Sequence, residues 1–229
     1  MAESLNTEEL QRNARMRQEI EEQITRRFAA EDDVLRQTLA TQQQAGLPTI
    51  QISPIQGRLL QVLVAACHAK KILEIGALGG YSGTWLARAL PADGKLITLE
   101  ISPKHAELVR AAFARAGLSD RTEVRIGSAS ELLPTLQREA PFDFFFIDAD
   151  KEGYPTYLDW AIKLAHPGSL IVADNNIRYG KPFQVSPEGD NVGVAAYNQR
   201  AASDPRLRSI LIPLDDDGMD GFAISVVLP

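Results

Sequence analysis

Carboxylate and amide side chains follow two apolar runs whose composition is typical of buried strands. The run FDFFFID ends in Asp148, with Asp150 and Lys151 close behind it, and the run SLIVAD ends in Asp174, which Asn175 follows. Ligands of a parallel sheet bind outside the carboxyl ends of its strands, so both clusters should face one crevice. Their oxygens form a hard ligand set that suits Mg²⁺ or Ca²⁺ and tolerates Mn²⁺. The alternative is that these acids only cap the helices that follow.

A lysine accompanies the first of these clusters. Lys151 lies three residues beyond Asp148. Beside a divalent cation and in a partly dry cleft, the ammonium form of a lysine is disfavoured by both effects. Such a lysine can take a proton from a hydroxyl that the cation has already acidified. We interpret Lys151 as a candidate general base, and the alternative is an ordinary surface lysine.

The segment LEIGALGGYS follows an apolar strand and begins a helix. Its glycines let a ligand approach the backbone, and a helix N-terminus offers free N–H groups. Leu78 stands where the dinucleotide fingerprint G-x-G-x-x-G requires its second glycine. Glu74 would repel a pyrophosphate but suits a cationic amino-acid group or a hydroxyl. Glu100 ends the next strand, at the position where an acid binds ribose hydroxyls in such folds. The glycine segment and this acid together indicate a nucleoside ligand. Taken alone, Glu100 would be a solvated acid at a strand end.

Strands and helices alternate along most of the chain. Five apolar runs have the length of strands: 71–75, 95–100, 122–127, 142–148 and 169–174. Four helical patterns separate them: 81–90, 103–116, 129–138 and 153–165. This alternation predicts a parallel sheet with helices on both faces. Two last runs, 206–214 and 221–229, are too close for a crossover helix, so they should pair antiparallel.

The first 50 residues have a different character from the rest. Their spacing predicts one helix over 7–45, with an apolar stripe formed by Ile20, Ile24 and Phe28. Such a stripe packs either on the main domain or on a second subunit. We divide the chain into an N-terminal helical extension, 1–50, and a domain, 51–229.

Composition excludes several classes of protein. The chain has 229 residues and a net charge of −6, which argues against a general nucleic-acid binder. No apolar run reaches the ~18 residues of a membrane helix, and the polar start is unlike a signal peptide. The single cysteine, Cys67, excludes an intrachain disulfide and a zinc site built from cysteines. We expect a soluble, cytoplasmic protein with no membrane or nucleic-acid partner.

Five segments, in order and spacing, resemble the S-adenosylmethionine-dependent O-methyltransferases of the caffeoyl-CoA and catechol type. They are LEIGALGGYS, TLEISP, GSASELLP, FIDADKEGY and VADNN, and the similarity covers about residues 50–229. The resemblance implies a Rossmann-like class I methyltransferase fold with a seven-stranded, mostly parallel sheet and an antiparallel last strand. It also implies cation-dependent methyl transfer to a hydroxyl of a small phenolic vicinal diol. Members of the family are commonly dimers, so we expect a homodimer.

The resemblance also implies roles for individual residues. Those expected to bind S-adenosylmethionine are Ile52, Glu74, Gly76, Ala77, Ser82, Glu100, Ser128, Ala129, Asp148 and Asp150. Those expected to hold the cation are Asp148, Asp174 and Asn175, with Lys151 as the base. Packing alone is the alternative for Ile52 and Ala129. All these residues lie beyond position 45, so removal of 1–45 should leave cofactor binding intact.

Two other functions and one part of the chain stay open. A non-catalytic nucleoside-binding or regulatory module on this fold is disfavoured because Lys151 and the cation ligands occur together. A nicotinamide-dependent oxidoreductase is disfavoured because its glycine fingerprint is absent. Arg178 could stack on a flat acceptor ring, attract an acidic acceptor or point to solvent. The segment 181–191 reads as a loop, and this part of the chain should determine which acceptor is used.

Overall fold

The computed structural model describes residues 7–215 and 219–229. In these residues one sheet has seven strands: β1 (Lys71–Ile75), β2 (Lys95–Glu100), β3 (Thr122–Ile126), β4 (Phe142–Ile147), β5 (Ala165–Ala173), β6 (Leu207–Asp215) and β7 (Asp220–Val227). Their order is β3-β2-β1-β4-β5-β7-β6, and β7 runs antiparallel to both of its neighbours. The predicted mostly parallel, seven-stranded sheet with an antiparallel last strand is confirmed.

The described helices are α1 (Thr7–Phe28), α2 (Asp33–Gln44), α3 (Pro54–Ala66), α4 (Tyr81–Ala89), α5 (Pro103–Arg115), α6 (Ala129–Leu132), α7 (Tyr154–Leu164) and α8 (Asp190–Ser203). All but α1 contribute side chains to the two cores on the faces of the sheet. Because successive side chains of a strand point to opposite faces, β4 sends Phe144 and Phe146 into the core under α3, α4 and α5. Its residues Phe145 and Ile147 enter the core under α7 and α8. These two cores hold the sheet rigid, and its strand ends position the polar residues.

The N-terminal extension has a break that the sequence pattern does not predict. The expected single helix over 7–45 is wrong, because the chain leaves the helix after Phe28 and starts a new one at Asp33. Asp32 takes an extended conformation and caps α2 by accepting a hydrogen bond from the Leu35 backbone N–H at 3.0 Å. Its carboxylate also pairs with Arg88 of α4 at 2.7 Å. The break therefore lets α2 turn onto the main domain.

The two helices of the extension differ in how they use their apolar residues. The stripe on α1 lies open, with Ile20, Ile24 and Phe28 exposed to 52%, 42% and 69%. In contrast, Leu35 of α2 is buried in the core beside α4 and α5. The extension thus contains one helix that belongs to the core and one that presents an apolar face. No helix of the described chain combines the length and apolar character needed to cross a membrane.

The segment after β5 is more ordered than the expected loop. Short 3-10 turns between Arg178 and Phe183 are interrupted by the left-handed residues Tyr179 and Gly180, and the irregular residues 184–189 then lead to α8, which begins at Asp190. The buried face of α8 consists of Gly193, Val194, Tyr197 and Ala201. Because most of these side chains are small, the helical periodicity is weak in the sequence.

Candidate active site

The candidate residues meet at the carboxyl ends of β2, β1, β4 and β5, which are neighbours in the sheet. Hydrogen bonds continue past the strand ends and align the loops that follow. The backbone N–H of Gly76 donates to Leu99, that of Asp148 to Ile75, and that of Asp174 to Ile147, at 2.9 to 3.0 Å. The sheet therefore brings the glycine segment and both acidic clusters to one crevice, as the sequence predicts.

The loop after β1 (residues 76–80, the glycine loop) lies against the loop after β4 (residues 148–150, the acidic loop) at Gly76. Gly76 has a φ of +94°, and a Cβ added there would lie 2.0 Å from the carbonyl oxygen of Asp148. Only glycine fits such a position, because any side chain would collide with the backbone of the acidic loop. The backbones of the glycine loop and the acidic loop are therefore in direct contact at Gly76.

Glu74 is a fully buried acid at the end of β1. Its Oε1 accepts a hydrogen bond from the Ser82 hydroxyl at 2.7 Å. Its Oε2 and the adjacent hydroxyl of Thr98 are buried without a hydrogen bond of good geometry. Burial, with a smaller effect of the nearby acids Asp148 and Glu100, raises the pKa of Glu74 to about 7 against the opposing effects of the Ser82 and Thr98 hydroxyls. A buried oxygen without a partner fits a cationic ligand group, such as the ammonium of an amino acid.

Glu100 organises the glycine loop from the neighbouring strand. It is only 6% exposed, so it is not a solvated strand-end acid. Its Oε2 accepts hydrogen bonds from the backbone N–H groups of Ala77 at 3.3 Å and Leu78 at 3.0 Å, and Oε1 accepts one from Ser102 at 2.9 Å. Glu100 is therefore fixed where the loop after β1 and the loop after β2 meet.

Other residues expected to bind the cofactor lie farther out or serve in packing. Ser128 precedes α6, and its hydroxyl lies 3.2 Å from that of Ser130. Ala129 packs against the core beside α7, and Ile52 is buried in the core beside α3. Asp150 caps the short 3-10 helix Lys151–Gly153, because its carboxylate accepts hydrogen bonds from within and beyond that turn. Its partners are the Gly153 backbone N–H at 3.0 Å and the Tyr157 hydroxyl at 2.5 Å.

Lys151 is held by two oxygen atoms in the acidic loop. Its Nζ donates to Asp148 Oδ1 at 3.0 Å and to the Tyr154 hydroxyl at 2.6 Å. Tyr154 is itself fully buried and donates to the backbone carbonyl of Asp174 at 2.8 Å. With 10% of its side chain exposed, Lys151 is not an ordinary surface lysine. Tyr154 thus connects the lysine with the second acidic cluster.

Asp174 is buried among other charged groups. It is 4% exposed, and its Oδ1 accepts hydrogen bonds from the Asn175 backbone N–H at 2.7 Å and from Gln56 Nε2 at 3.5 Å. Burial raises the pKa of Asp174 well above its usual value, and the charges of Asp148 and Asp220 raise it further, while Lys151 opposes them. The crowding of acids is the situation in which a bound cation would compensate negative charge.

The donor set fits a hard divalent cation. In the described ranges no three His, Cys, Asp or Glu side chains gather as a metal site. The expected set has only two carboxylates, Asp148 and Asp174, and takes its third oxygen from Asn175. The Nδ2 of Asn175 donates to Asp220 at 3.1 Å, so the amide oxygen points away from Asp220. Oxygen donors of this kind suit Mg²⁺.

Three residues of the site escaped the sequence analysis: Gln56, Tyr154 and Asp220. Tyr154 ends the segment FIDADKEGY, so its place in that segment was a usable signal. Gln56 lies in the first turn of α3 and contacts Asp174, and Asp220 begins β7 and contacts Asn175; both are remote in sequence from these partners. No local pattern indicates either contact.

Arg178 contacts the start of α8. Its Nε donates to Asn191 Oδ1 at 2.9 Å, and its guanidinium lies 3.8 Å from the carboxylate of Asp190. The side chain is 28% exposed. Arg178 thus connects the short 3-10 helix after β5 with α8.

The N-terminal helix α2 lies directly behind the glycine loop. Gly79 touches the side chain of Gln42, because a Cβ added to this glycine would lie 2.2 Å from Gln42 Cγ. Glu31, just before α2, accepts a hydrogen bond at 2.6 Å from the hydroxyl of Tyr81, the first residue of α4. These contacts bear on the expectation that removal of 1–45 leaves cofactor binding intact, because that deletion would remove a support of the glycine loop.

Comparisons with known proteins agree with this arrangement. A family model described as "O-methyltransferase" matches residues 26–222. The chain is 42% identical over 219 residues to a catechol O-methyltransferase of Niastella koreensis, which covers 94% of this chain and 99% of that protein. It is 43% identical over 201 residues to a catechol O-methyltransferase of Mycobacterium tuberculosis, which covers 87% of this chain and 91% of that protein.

A solved structure shares the fold and the sequence similarity. The O-methyltransferase from Bacillus cereus in complex with SAH matches with a TM-score of 0.86 and 38% identity. The match covers 92% of this chain and 97% of that chain. The family match begins near the end of α1 and includes α2, in line with the packing of α2 on the main domain.

Proposed function

Because this chain belongs to the O-methyltransferase family, we propose that it transfers the methyl group of S-adenosylmethionine to one hydroxyl of a small catechol-like phenol, with the help of a divalent cation. It is an S-adenosylmethionine-dependent O-methyltransferase, as its family and the SAH-bound relative support. The names of the two bacterial relatives support a vicinal diol as acceptor. Acceptor and cation are the parts of the proposal that require experiment.

The observation that carries the proposal is the contact between Gly76 and Asp148. It joins a loop suited to a nucleoside with a loop suited to a cation and its hydroxyl ligands. Direct methyl transfer requires donor and acceptor in line and in contact, and such orientation alone supplies effective molarities of ~10⁵ M or more. The contact between the two loops supports such an arrangement of donor and acceptor.

The cofactor would be held mainly at its two ends. Glu74 is suited to the ammonium group of the methionine part, because its Oε2 is buried without a hydrogen bond. Ser82, in the first turn of α4, is suited to the carboxylate, since helix N-termini favour anions. Glu100 is suited to the ribose hydroxyls at the end of β2. Glycine at position 76 lets the loop that would hold the cofactor lie directly against the acidic loop.

The acceptor would be activated at the other wall of the crevice. Asp148, Asp174 and Asn175 would hold the cation, which when bound acidifies a coordinated hydroxyl and orients both oxygens of a diol. Lys151 donates two hydrogen bonds, to Asp148 and Tyr154. These two bonds fix the Nζ of Lys151 beside the proposed cation site, where it would receive the proton of the acceptor hydroxyl. Tyr154 and Asp148 thereby orient the base.

The test is methylation of catechol by the purified protein, with Mg²⁺ and with excess EDTA. We expect turnover that EDTA abolishes and added Mg²⁺ restores. Lys151→Met should lose most turnover, whereas Lys163→Met on the exposed side of α7 should not. Binding of S-adenosylmethionine without turnover on any diol would contradict the proposal and favour the non-catalytic nucleoside-binding module.

The stripe on α1 supports a homodimer. Its residues Ile20, Ile24 and Phe28 are exposed in the single chain, and burial of each such side chain contributes ~1.5–3 kcal/mol. Closed two-fold dimers are the commonest soluble oligomers. The double variant Ile20→Glu, Ile24→Glu should therefore be monomeric by light scattering, and a dimer of unchanged stability would contradict this interface.

The division into an extension, 1–50, and a domain, 51–229, stays a prediction. The cytoplasmic location also stays a prediction.

A further inference from the structure

Asp220, the first residue of β7, accepts hydrogen bonds from four groups around the end of β5. Three are backbone N–H groups that share its Oδ1: those of Ile177 at 3.2 Å, Arg178 at 3.1 Å and Gly221 at 2.9 Å. The fourth is the side-chain amide of Asn175, whose Nδ2 donates to Oδ2 at 3.1 Å. Its two oxygens therefore have separate tasks, one toward the backbone and one toward Asn175.

The turn from Asn175 to Arg178, in which Oδ1 accepts the N–H groups of Ile177 and Arg178, has an unfavourable backbone conformation. Asn175 and Arg178 have φ values of +55° and +46°, in the left-handed region that non-glycine residues seldom adopt. Asp220 stabilises this turn because it supplies an acceptor for two consecutive N–H groups that no strand partner satisfies. The turn places Asn175 directly beside Asp174.

The other oxygen of Asp220 determines which way the amide of Asn175 points. A carboxylate can only accept hydrogen bonds, so the amide must direct its NH₂ group to Asp220. Its oxygen then points away from Asp220. In the reverse orientation two oxygens would face each other without a proton between them. An amide without such a partner could present either its oxygen or its nitrogen, and only the oxygen is a ligand for a hard cation.

We infer that Asp220 is a positioning residue that selects the ligating orientation of the Asn175 amide. The inference rests on the proposed function, because it takes Asn175 as a cation ligand. Asp220 acts through Asn175 and through the turn that carries it, and it requires no contact with cofactor or acceptor. Partners behind metal ligands typically contribute 10–100-fold to metal affinity.

Asp220→Asn separates the two tasks of the carboxylate. The new amide keeps an oxygen for the three backbone N–H groups, but it presents an NH₂ group to the NH₂ group of Asn175. Asn175 must then turn its oxygen toward position 220 and its nitrogen toward the cation. We expect the affinity for Mn²⁺, measured by calorimetry on cation-free protein, to fall about 10–100-fold. The affinity for S-adenosylmethionine and the melting temperature should stay near those of the parent.

A double-mutant cycle with Asn175→Ala distinguishes orientation from charge. If Asp220 acts through the amide, Asp220→Asn should weaken Mn²⁺ binding no further once Asn175 is alanine. An equal loss in both backgrounds would show that only the negative charge of Asp220 matters, and it would overturn the inference. Unchanged Mn²⁺ affinity of Asp220→Asn alone would overturn it as well.

Two controls keep the result decisive. If Asp220→Asn does not fold, Asp220→Glu and Asp220→Gln are compared instead. Their side chains have equal length, but the carboxylate of Glu only accepts hydrogen bonds, whereas the amide of Gln also donates them. The Glu variant should then bind Mn²⁺ at least tenfold more tightly than the Gln variant, and equal affinities would overturn the inference. Asp174→Ala tests the cation site itself. If it binds Mn²⁺ like the parent, the proposed site is wrong, whereas a loss there with none in Asp220→Asn refutes only the role of Asp220.

Discussion

Replacement of Glu74 by Gln should change how the affinity for S-adenosylmethionine depends on pH. Burial of the carboxyl raises the pKa of Glu74 to about 7 in the free protein. Near and below that pH, much of the protein carries a neutral acid that cannot pair with the ammonium group of the cofactor. Because only the ionised fraction binds well, the apparent dissociation constant rises as that fraction falls.

The expected size of the effect follows from this pKa. A group with a pKa of about 7 is about one-tenth ionised at pH 6 and about nine-tenths ionised at pH 8. The parent should therefore bind S-adenosylmethionine about tenfold more weakly at pH 6 than at pH 8. Glu74→Gln has no such titration, and its affinity at pH 8 should be about 10–100-fold below that of the parent, the scale of a charge-assisted hydrogen bond. The two proteins should approach each other at pH 6.

The raised pKa of Glu74 also makes the cofactor-free protein less stable as the pH rises. In the unfolded chain Glu74 titrates near its ordinary value of 4.5, and in the folded chain near 7. Between these values the folded state binds more protons than the unfolded state, so stability falls as pH rises through this range. The loss, complete above pH 7, is about 3 kcal/mol at most. Glu74→Gln should therefore melt higher than the parent at pH 8, and the difference should shrink toward pH 5.

Calorimetric titrations from pH 6 to 8 and thermal melts from pH 5 to 8, at constant ionic strength, test both effects. The ammonium group of the cofactor titrates equally with both proteins, so the difference between the two curves isolates Glu74. Glu107→Gln, on the exposed side of α5, is the matched control and should follow the parent. Parallel pH curves for the parent and Glu74→Gln would refute the assignment of Glu74 to the ammonium group.

Three further predictions concern the cation, the ribose and the N-terminus. Asp174→Ala should keep S-adenosylmethionine affinity within a few-fold but lose ~100-fold or more in catechol turnover, and parent-like turnover in EDTA would exclude the cation. Glu100→Ala should weaken cofactor binding by ~1.5–3 kcal/mol in calorimetry with little change in the acceptor KM, and unchanged binding would exclude it from the cofactor site. Deletion of residues 1–28 should yield a monomer by light scattering that still binds the cofactor. Deletion of 1–45 should weaken cofactor binding at least tenfold, because α2 supports Gly79 and Tyr81; equal binding by both truncations would refute that support.

The sheet and its crevice could be predicted because their signals are local. Each strand end carries its own marker, such as the glycine at position 76 or the acids at positions 148 and 174. The rules of parallel sheets then bring consecutive strand ends to one edge, so short segments sufficed to place them together.

The rest could not be predicted because it depends on contacts between distant segments. The break before α2 contains neither proline nor glycine, and it is stabilised by Asp32 and Glu31 through Arg88 and Tyr81 of α4. Asp220 reaches Asn175 across a separation of 45 residues. Such contacts leave no periodicity and no motif, so only the folded chain reveals them.

The most direct test of the central claim is the fate of an isotopically labelled methyl group. The protein is incubated with S-adenosylmethionine carrying a ¹³C-methyl group, Mg²⁺, and either catechol or phenol, and the products are identified by mass spectrometry. We expect the label on one oxygen of catechol, and we expect phenol, which cannot chelate through two oxygens, to stay unmethylated. Efficient methylation of phenol would contradict the proposed chelation of a diol. The proposed function would be contradicted if the protein binds S-adenosylmethionine but leaves catechol unlabelled with Mg²⁺, Ca²⁺ and Mn²⁺.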